Sequence, residues 1–283
     1  MFNGMVAVIT GAGAGIGRSL ALRLAREGSS LALVDVAEDD LVATKSAIGT
    51  VPGLVTVHTV DVGDRSAMMD LTQAVIASHG RVNLVINCAG FGLHGWCGQV
   101  SIEEFAGVMD TNFWGVVYGS LFFLPHLLEQ NPSFIVNVSS VHGLFGQAGV
   151  APYCASKFSV RGFTQSLTQE LRHTSCHAIC VYPGGIEGSF QRKMRWSEGV
   201  TERSDPEIIQ ENFNRDMAKC TPDQAADVIL RGIEKRKDSI IVGPDAHFYS
   251  LATRLLPGRW THRLGRLQRR SLKQRLISVL ERL

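Results

Sequence analysis

The chain has 283 residues, of which 45% are hydrophobic and 19% charged. A charged share below the ~25% usual for globular proteins excludes a largely disordered chain, a collagen-like repeat and a small disulfide scaffold. The formal net charge of +2 is too small for a nucleic-acid footprint, but it is unevenly spread. Lys and Arg recur from Arg254 to Arg282 against the single acid Glu281, so a mildly acidic body carries a strongly basic tail.

Short β-branched runs alternate with helical stretches along the chain. A strand over 6–10 leads to a helix over 15–27, a strand over 30–35 and a helix over 38–48. A strand over 55–60, a helix over 64–78 and a strand over 82–87 follow. Residues 102–129 form one long or broken helix. A strand over 134–139, a helix over 152–172 and a strand over 177–182 come next, and a helix over 223–235 and a strand over 239–242 close the pattern. Runs such as Leu84-Val85-Ile86 are nearly continuously apolar, as strands buried on both faces are. The alternation predicts a single doubly wound α/β unit of Rossmann type over 1–245, with a parallel sheet flanked by helices on both faces.

Two segments break the rhythm. Residues 190–220 are polar and leave a strand's carboxyl end after Pro183-Gly184-Gly185, where ligands bind in such sheets. They are expected to cover the site as a lid, the other reading being an ordinary surface excursion. Residues 246–283 are expected to form a basic amphipathic helical extension, with Leu272, Leu276, Val279, Leu280 and Leu283 at helical spacing. Three readings of this tail stand side by side: packing on its own body or a sister subunit, peripheral contact with anionic lipid, or a solvated end.

No basic leader precedes the apolar run over 5–9, so no signal peptide is expected. The uncharged stretch 111–128 contains Asn112, Ser120, Pro125 and His126 and is expected to be a buried helix rather than a membrane span. The six cysteines (Cys88, Cys97, Cys154, Cys176, Cys180 and Cys220) form no CxxC pair, and no His cluster has zinc-ligand spacing. Reduced thiols in a cytoplasmic protein without a metal are expected.

Thr10-Gly11-Ala12-Gly13-Ala14-Gly15-Ile16-Gly17 joins the first strand to the first helix. Glycines there let backbone N–H groups approach a pyrophosphate, and the helix N-terminus adds positive partial charge. Gly11, Ala14, Gly15, Ile16 and Gly17 are therefore candidate cofactor contacts, in a GxxxGxG spacing rather than GxGxxG. Asp35 ends the second strand, where a carboxylate accepts hydrogen bonds from the adenosine ribose and repels a 2′-phosphate. No base follows it at Val36 or Ala37, so NAD is favoured over NADP. Taken alone, Asp35 is equally a helix cap.

Tyr153 and Lys157 are four residues apart, on one face of the helix that Pro152 would start. A nearby ammonium and the helix dipole are expected to lower the phenol pKa from ~10, making Tyr153 a general acid/base. A Tyr-x-x-x-Lys pair by itself is a common surface arrangement. Here Asn137-Val138-Ser139-Ser140 ends the preceding strand and places a hydroxyl thirteen residues before Tyr153. Strand alternation points the hydroxyls of Ser139 and Ser140 oppositely, and that spacing favours Ser140.

Together with Asp61-Val62, Asn87-Cys88-Ala89-Gly90, Asn112 and Pro183-Gly184, these motifs resemble the classical short-chain dehydrogenase/reductase family over about residues 5–243. The resemblance implies a catalytic set of Asn112, Ser140, Tyr153 and Lys157. Tyr153 would carry the hydroxyl proton, Lys157 would lower its pKa and hold the nicotinamide ribose, Ser140 would orient the substrate oxygen, and Asn112 would anchor a water. It also implies that Asp61 and Val62 meet adenine, that Asn87, Ala89 and Gly90 floor the adenosine and ribose, and that Pro183, Gly184 and Ile186 line the nicotinamide. Two positions depart from the family: Cys88 replaces an Asn, and Gly188 stands where a Thr would bind the carboxamide. Either Ser189 takes over that contact or the loop is rebuilt.

Substrate contacts are expected from Phe91, Leu93, His94, Trp96, Leu144, Phe145, Phe190, Met194 and Trp196, besides Ser140. This aromatic and aliphatic set fits a lipophilic secondary alcohol or ketone better than a phosphorylated sugar. His94 and His142 are either packed structural residues or partners for a polar substrate group. Apolar helices over 113–128 and 158–171 point to a homodimer or homotetramer, as the resemblance also implies. An NADPH-dependent carbonyl reductase on the same site is one alternative. A nucleotide-binding, membrane-associated adaptor with vestigial chemistry is the other.

Overall fold

The computed structural model describes residues 1–188, 190, 194–200 and 205–256. Its first half runs β1 (Val6–Thr10), α1 (Gly15–Arg26), β2 (Ser30–Asp35), α2 (Glu38–Ile48), β3 (Val55–Thr59), α3 (Arg65–His79), β4 (Leu84–Asn87) and β5 (Leu93–His94). Then come α4 (Ile102–Met109), a π-helical turn (Asp110–Trp114), α5 (Gly115–Leu128), β6 (Ser133–Val138) and a 3-10 turn (Val141–Gly143). The chain continues through α6 (Ala151–Glu170), β7 (Cys176–Pro183), β8 (Arg195–Trp196), α7 (Pro206–Asp216), α8 (Pro222–Glu234), β9 (Ser239–Val242) and α9 (Pro244–Leu255).

Seven strands form one parallel sheet in the order β3-β2-β1-β4-β6-β7-β9. Alternate strand residues divide into two cores. Ala7, Ile9, Leu31, Leu33, Leu84 and Ile86 pack with Leu20 and Leu24 of α1 and Ile229 and Ile233 of α8. Val6, Val8, Ala32, Val34 and Val85 point the other way, onto Met68 and Leu71 of α3, Phe123 of α5 and Leu167 of α6. Each fully buried aliphatic side chain stabilises the fold by about 1.5–3 kcal/mol, so both faces favour apolar residues and the runs are uninterrupted. Strand order reverses between β1 and β4, and the connections leaving these neighbours open a crevice at the sheet's carboxyl edge.

The expected helix over 102–129 is two helices joined by the π turn, which inserts an extra residue and turns Asn112 fully inward. Within the expected lid, β8 pairs in parallel with β5, and α7 follows. Ser197 and Glu198 tie this segment to Glu104 in the capping box of α4. The expected boundary at 245 falls inside α9, which the sequence pattern did not predict as part of the body. Ala246 and Tyr249 of α9 pack against Val141 and Phe145. Residues 257–283, most of the basic tail, lie outside the described residues, as does Ser189. Among the described residues, no helix is long and apolar enough to cross a membrane.

Candidate functional site

The turn after β1 is built for close approach. Gly11 has φ +69°, and a Cβ there would fall 2.9 Å from the backbone of Ala89; a Cβ on Gly17 would run into the carbonyl of Gly11. Ala14 caps α1 without a side-chain hydrogen bond, so the first-turn N–H groups of the helix are left for an anionic ligand. Asp35 Oδ2 accepts the Gly13 N–H at 3.0 Å and Oδ1 the Ala37 N–H at 3.1 Å, which fixes the carboxylate beside the turn. Thr10 joins this turn to the loop after β4, its hydroxyl accepting the N–H groups of Cys88 and Ala89 at 3.0 and 3.1 Å. A dinucleotide fits this donor set: an uncapped helix start with small residues, then a carboxylate at the next strand end.

Tyr153 and Lys157 ride the buried stripe of α6 that continues through Val160, Thr164 and Leu167, at spacings of three and four. Lys157 Nζ donates to the Val138 carbonyl at 2.9 Å and lies 5.7 Å from the Tyr153 ring centre. Ser140 ends the β6 connection as cap of the 3-10 turn, accepting the His142 N–H at 3.2 Å. Its hydroxyl is near enough to the Tyr153 phenol to favour the ionised form of that phenol. Asn112 is fully buried: Oδ1 accepts the Phe91 N–H at 2.9 Å, and Nδ2 donates to the Phe91 carbonyl at 2.9 Å and to Ser156 Oγ at 3.1 Å. Ser156 in turn donates to the Tyr153 carbonyl, so Asn112 links the loop after Gly90 to the first turn of α6.

The electrostatics differ from the expectation. Burial pushes the Tyr153 phenol up to about 12, outweighing the nearby Ser140 hydroxyl that pulls it down. The Lys157 ammonium, also buried, is pushed down to about 8. Desolvation therefore exceeds the favourable charges invoked for a lowered phenol pKa. His142, its ring edge-on to Tyr153 at 5.9 Å, is pushed down to about 4 by burial and is neutral at pH 7.

Residues 5–199 match the family model described as short chain dehydrogenase. The chain belongs to that family. This dehydrogenase is an oxidoreductase acting on CH–OH donors with NAD or NADP as acceptor. It is 38% identical over 258 residues to SadH of Mycobacterium tuberculosis, named as an oxidoreductase, covering 90% of this chain and 92% of that protein. The 3-oxoacyl-acyl-carrier-protein reductase FabG of Thermotoga maritima is 30% identical over 228 residues, 81% of this chain and 89% of its own. Among solved structures, a Burkholderia phymatum short chain dehydrogenase/reductase in complex with NAD superposes with a TM-score of 0.78 at 29% identity. That likeness covers 89% of this dehydrogenase and 92% of the other chain.

Not every residue singled out in the sequence joins the crevice. Met194 packs with Tyr153, Val150 and Cys154, and the Phe190 ring lies 5.8 Å from the Tyr153 ring. Leu93 and His94 sit in the ribbon with β8, where the His94 and Trp196 rings lie tilted with centres 4.8 Å apart, and Trp96 is half-buried. Leu144 packs instead against Val141, Phe145 and α9. Asn87 is buried, and Nδ2 donates to Asn137 Oδ1 at 2.8 Å and to Ser120 Oγ at 3.2 Å. Asp61 is exposed and accepts the Gly63 N–H, while Val62 is buried against Gly115. Pro183 pairs with Val242, and Ile186 bridges Cys220.

Sequence reasoning missed Thr10 and Ser156, and it undervalued Ser139. The Ser139 hydroxyl donates to the Lys157 carbonyl at 2.8 Å and stitches α6 to β6. The available signals were a hydroxyl at a strand end before the first glycine, and one between Tyr153 and Lys157.

Proposed function

We propose that this dehydrogenase transfers a hydride between NAD(H) and a lipophilic secondary alcohol or ketone, with Tyr153 as general acid/base. The observation that carries the reading is the setting of Tyr153: the Ser140 hydroxyl near its phenol, Lys157 on the same helix face, and Met194 and Phe190 against its ring. Tyr153 Oη takes the hydroxyl proton during oxidation and returns it during reduction. Ser140, whose Oγ accepts the His142 N–H, would turn its hydroxyl hydrogen toward the substrate oxygen when substrate is bound. The protonated phenol is the form that gives a proton to a carbonyl, and the phenolate the form that takes one from an alcohol.

The turn from Gly11 through Ala14, Gly15, Ile16 and Gly17 would hold the pyrophosphate, Asp35 the adenosine ribose, and Asp61 and Val62 the adenine. Asn87, Ala89 and Gly90 would floor the adenosine and ribose, Lys157 beside Tyr153 would hold the nicotinamide ribose, and Pro183, Gly184 and Ile186 would line the nicotinamide itself. Bound there, the nicotinamide would accept or supply the hydride. The Asp35 carboxylate, with no base at positions 36 or 37, supports NAD over NADP, as does the NAD complex of the Burkholderia phymatum relative. Met194, Phe190 and Val150 beside Tyr153 favour an apolar substrate, and the FabG relative is named for a 3-oxoacyl substrate. Exposed Trp114, Leu121, Leu128 and Phe158 favour a homo-oligomer.

Titration of the purified protein with NADH and NADPH, followed by nicotinamide fluorescence, tests the cofactor assignment. NADH should bind at least about tenfold tighter, ~1.4 kcal/mol. Tighter NADPH binding would refute selection by Asp35 and favour the NADPH-dependent carbonyl reductase.

A further inference from the structure

The loop leaving β7 is held by α9. Asp245, in the first turn of α9, accepts the Gly185 N–H through Oδ2 at 2.7 Å. Its carboxylate lies so close to Gly184 that a Cβ at 184 would collide with both oxygens. Gly243, with φ +98°, clears the other side, where a Cβ would fall 2.8 Å from Oδ1. Gly185 is also held through its carbonyl, which accepts the Lys219 N–H at 3.1 Å. Among the described residues, Asp245 makes the one side-chain hydrogen bond to the backbone of 183–188. Gly188, at φ +135°, supplies no side chain of its own.

Stability alone does not explain this carboxylate. Its Oδ1 is buried without a hydrogen-bond partner among the described residues, an arrangement that costs free energy. The same helix packs Ala246 and Tyr249 against Val141 and Phe145, directly after Ser140. One short helix thus contacts both the turn that presents Ser140 and the turn at Pro183–Gly185.

We propose that Asp245 is a positioning residue that sets the Pro183–Gly185 turn for cofactor binding. The inference rests on the reading that this turn borders the nicotinamide. Asp245 acts through the Gly185 amide and through its contact with Gly184. Loss of the carboxylate frees the turn without touching Ser140, Tyr153 or Lys157.

Full-length Asp245→Ala and Asp245→Asn variants test it with two readouts: the NADH dissociation constant, and amide hydrogen exchange of peptides covering 183–188 without cofactor. Asn keeps an oxygen acceptor of the same shape for Gly185. The Ala variant should bind NADH about tenfold more weakly and exchange faster at Gly185, whereas the Asn variant should stay within about twofold of wild type in both. An Ala variant with wild-type affinity and exchange would overturn the proposal. So would Ala and Asn variants that fail alike with lowered thermal midpoints, since that is a purely structural role. Wild-type protein that binds no NADH would overturn the cofactor reading, and the exchange data alone would then decide whether Asp245 holds the turn.

Discussion

Replacing Asn112 with Ala removes three hydrogen bonds at once, two of them to the backbone of Phe91. The N–H and carbonyl of Phe91 are left unpaired, at about 1–3 kcal/mol each when shielded from water. Phe91 is half-buried, so water recovers part of that loss. A net destabilisation of about 2–4 kcal/mol results, which in a protein of this size lowers the thermal midpoint by roughly 4–16 °C. The loop after Gly90 also loses its tie to Ser156 and hence to the first turn of α6, so cofactor affinity should fall together with stability. Thermal unfolding of cofactor-free wild-type and Asn112→Ala protein, paired with NADH titration of each, measures both effects. An unchanged midpoint with unchanged NADH affinity would refute the view that this amide holds the loop.

Two further predictions concern pH. His142 is pushed from 6.5 to about 4, so it favours the fold fully above pH 6.5, and that stability is lost as pH falls through 4. Acid unfolding of wild type should therefore carry a contribution of about 3 kcal/mol between pH 7 and 4 that His142→Gln lacks; urea midpoints across that range measure it, and identical slopes would count against a buried neutral ring. Lys157 is pushed from 10.5 to about 8, so its burial penalty is fully present below pH 8 and is relieved as pH rises toward 10.5. Cofactor-free wild type should gain stability between pH 8 and 10 relative to Lys157→Met, and parallel curves in that window would contradict the burial of this ammonium.

The parallel sheet was legible because two-sided burial leaves its mark residue by residue, as at Leu84-Val85-Ile86. Tyr153 and Lys157 were legible as neighbours because helix spacing alone puts them on one face. The ionisation of Tyr153 was not, because its burial depends on Met194 and Phe190, which arrive from a distant segment. The inward turn of Asn112 depends on a π bulge that apolar periodicity does not signal. The amide pair of Asn87 and Asn137 was not legible because the register of β4 with β6, which buries both, is a tertiary fact. The role of α9 was hidden because the basic tail dominates the composition of the C-terminal stretch.

The central claim is proton transfer by Tyr153 coupled to hydride transfer with NAD. It is tested most directly by following NADH formation from a panel of lipophilic secondary alcohols with wild-type and Tyr153→Phe protein, alongside NADH binding by each. The account predicts turnover by wild type, a loss of roughly 10²–10⁴-fold in kcat for the Phe variant, and little change in NADH affinity. A Phe variant that oxidises the same alcohol at the wild-type rate would contradict it.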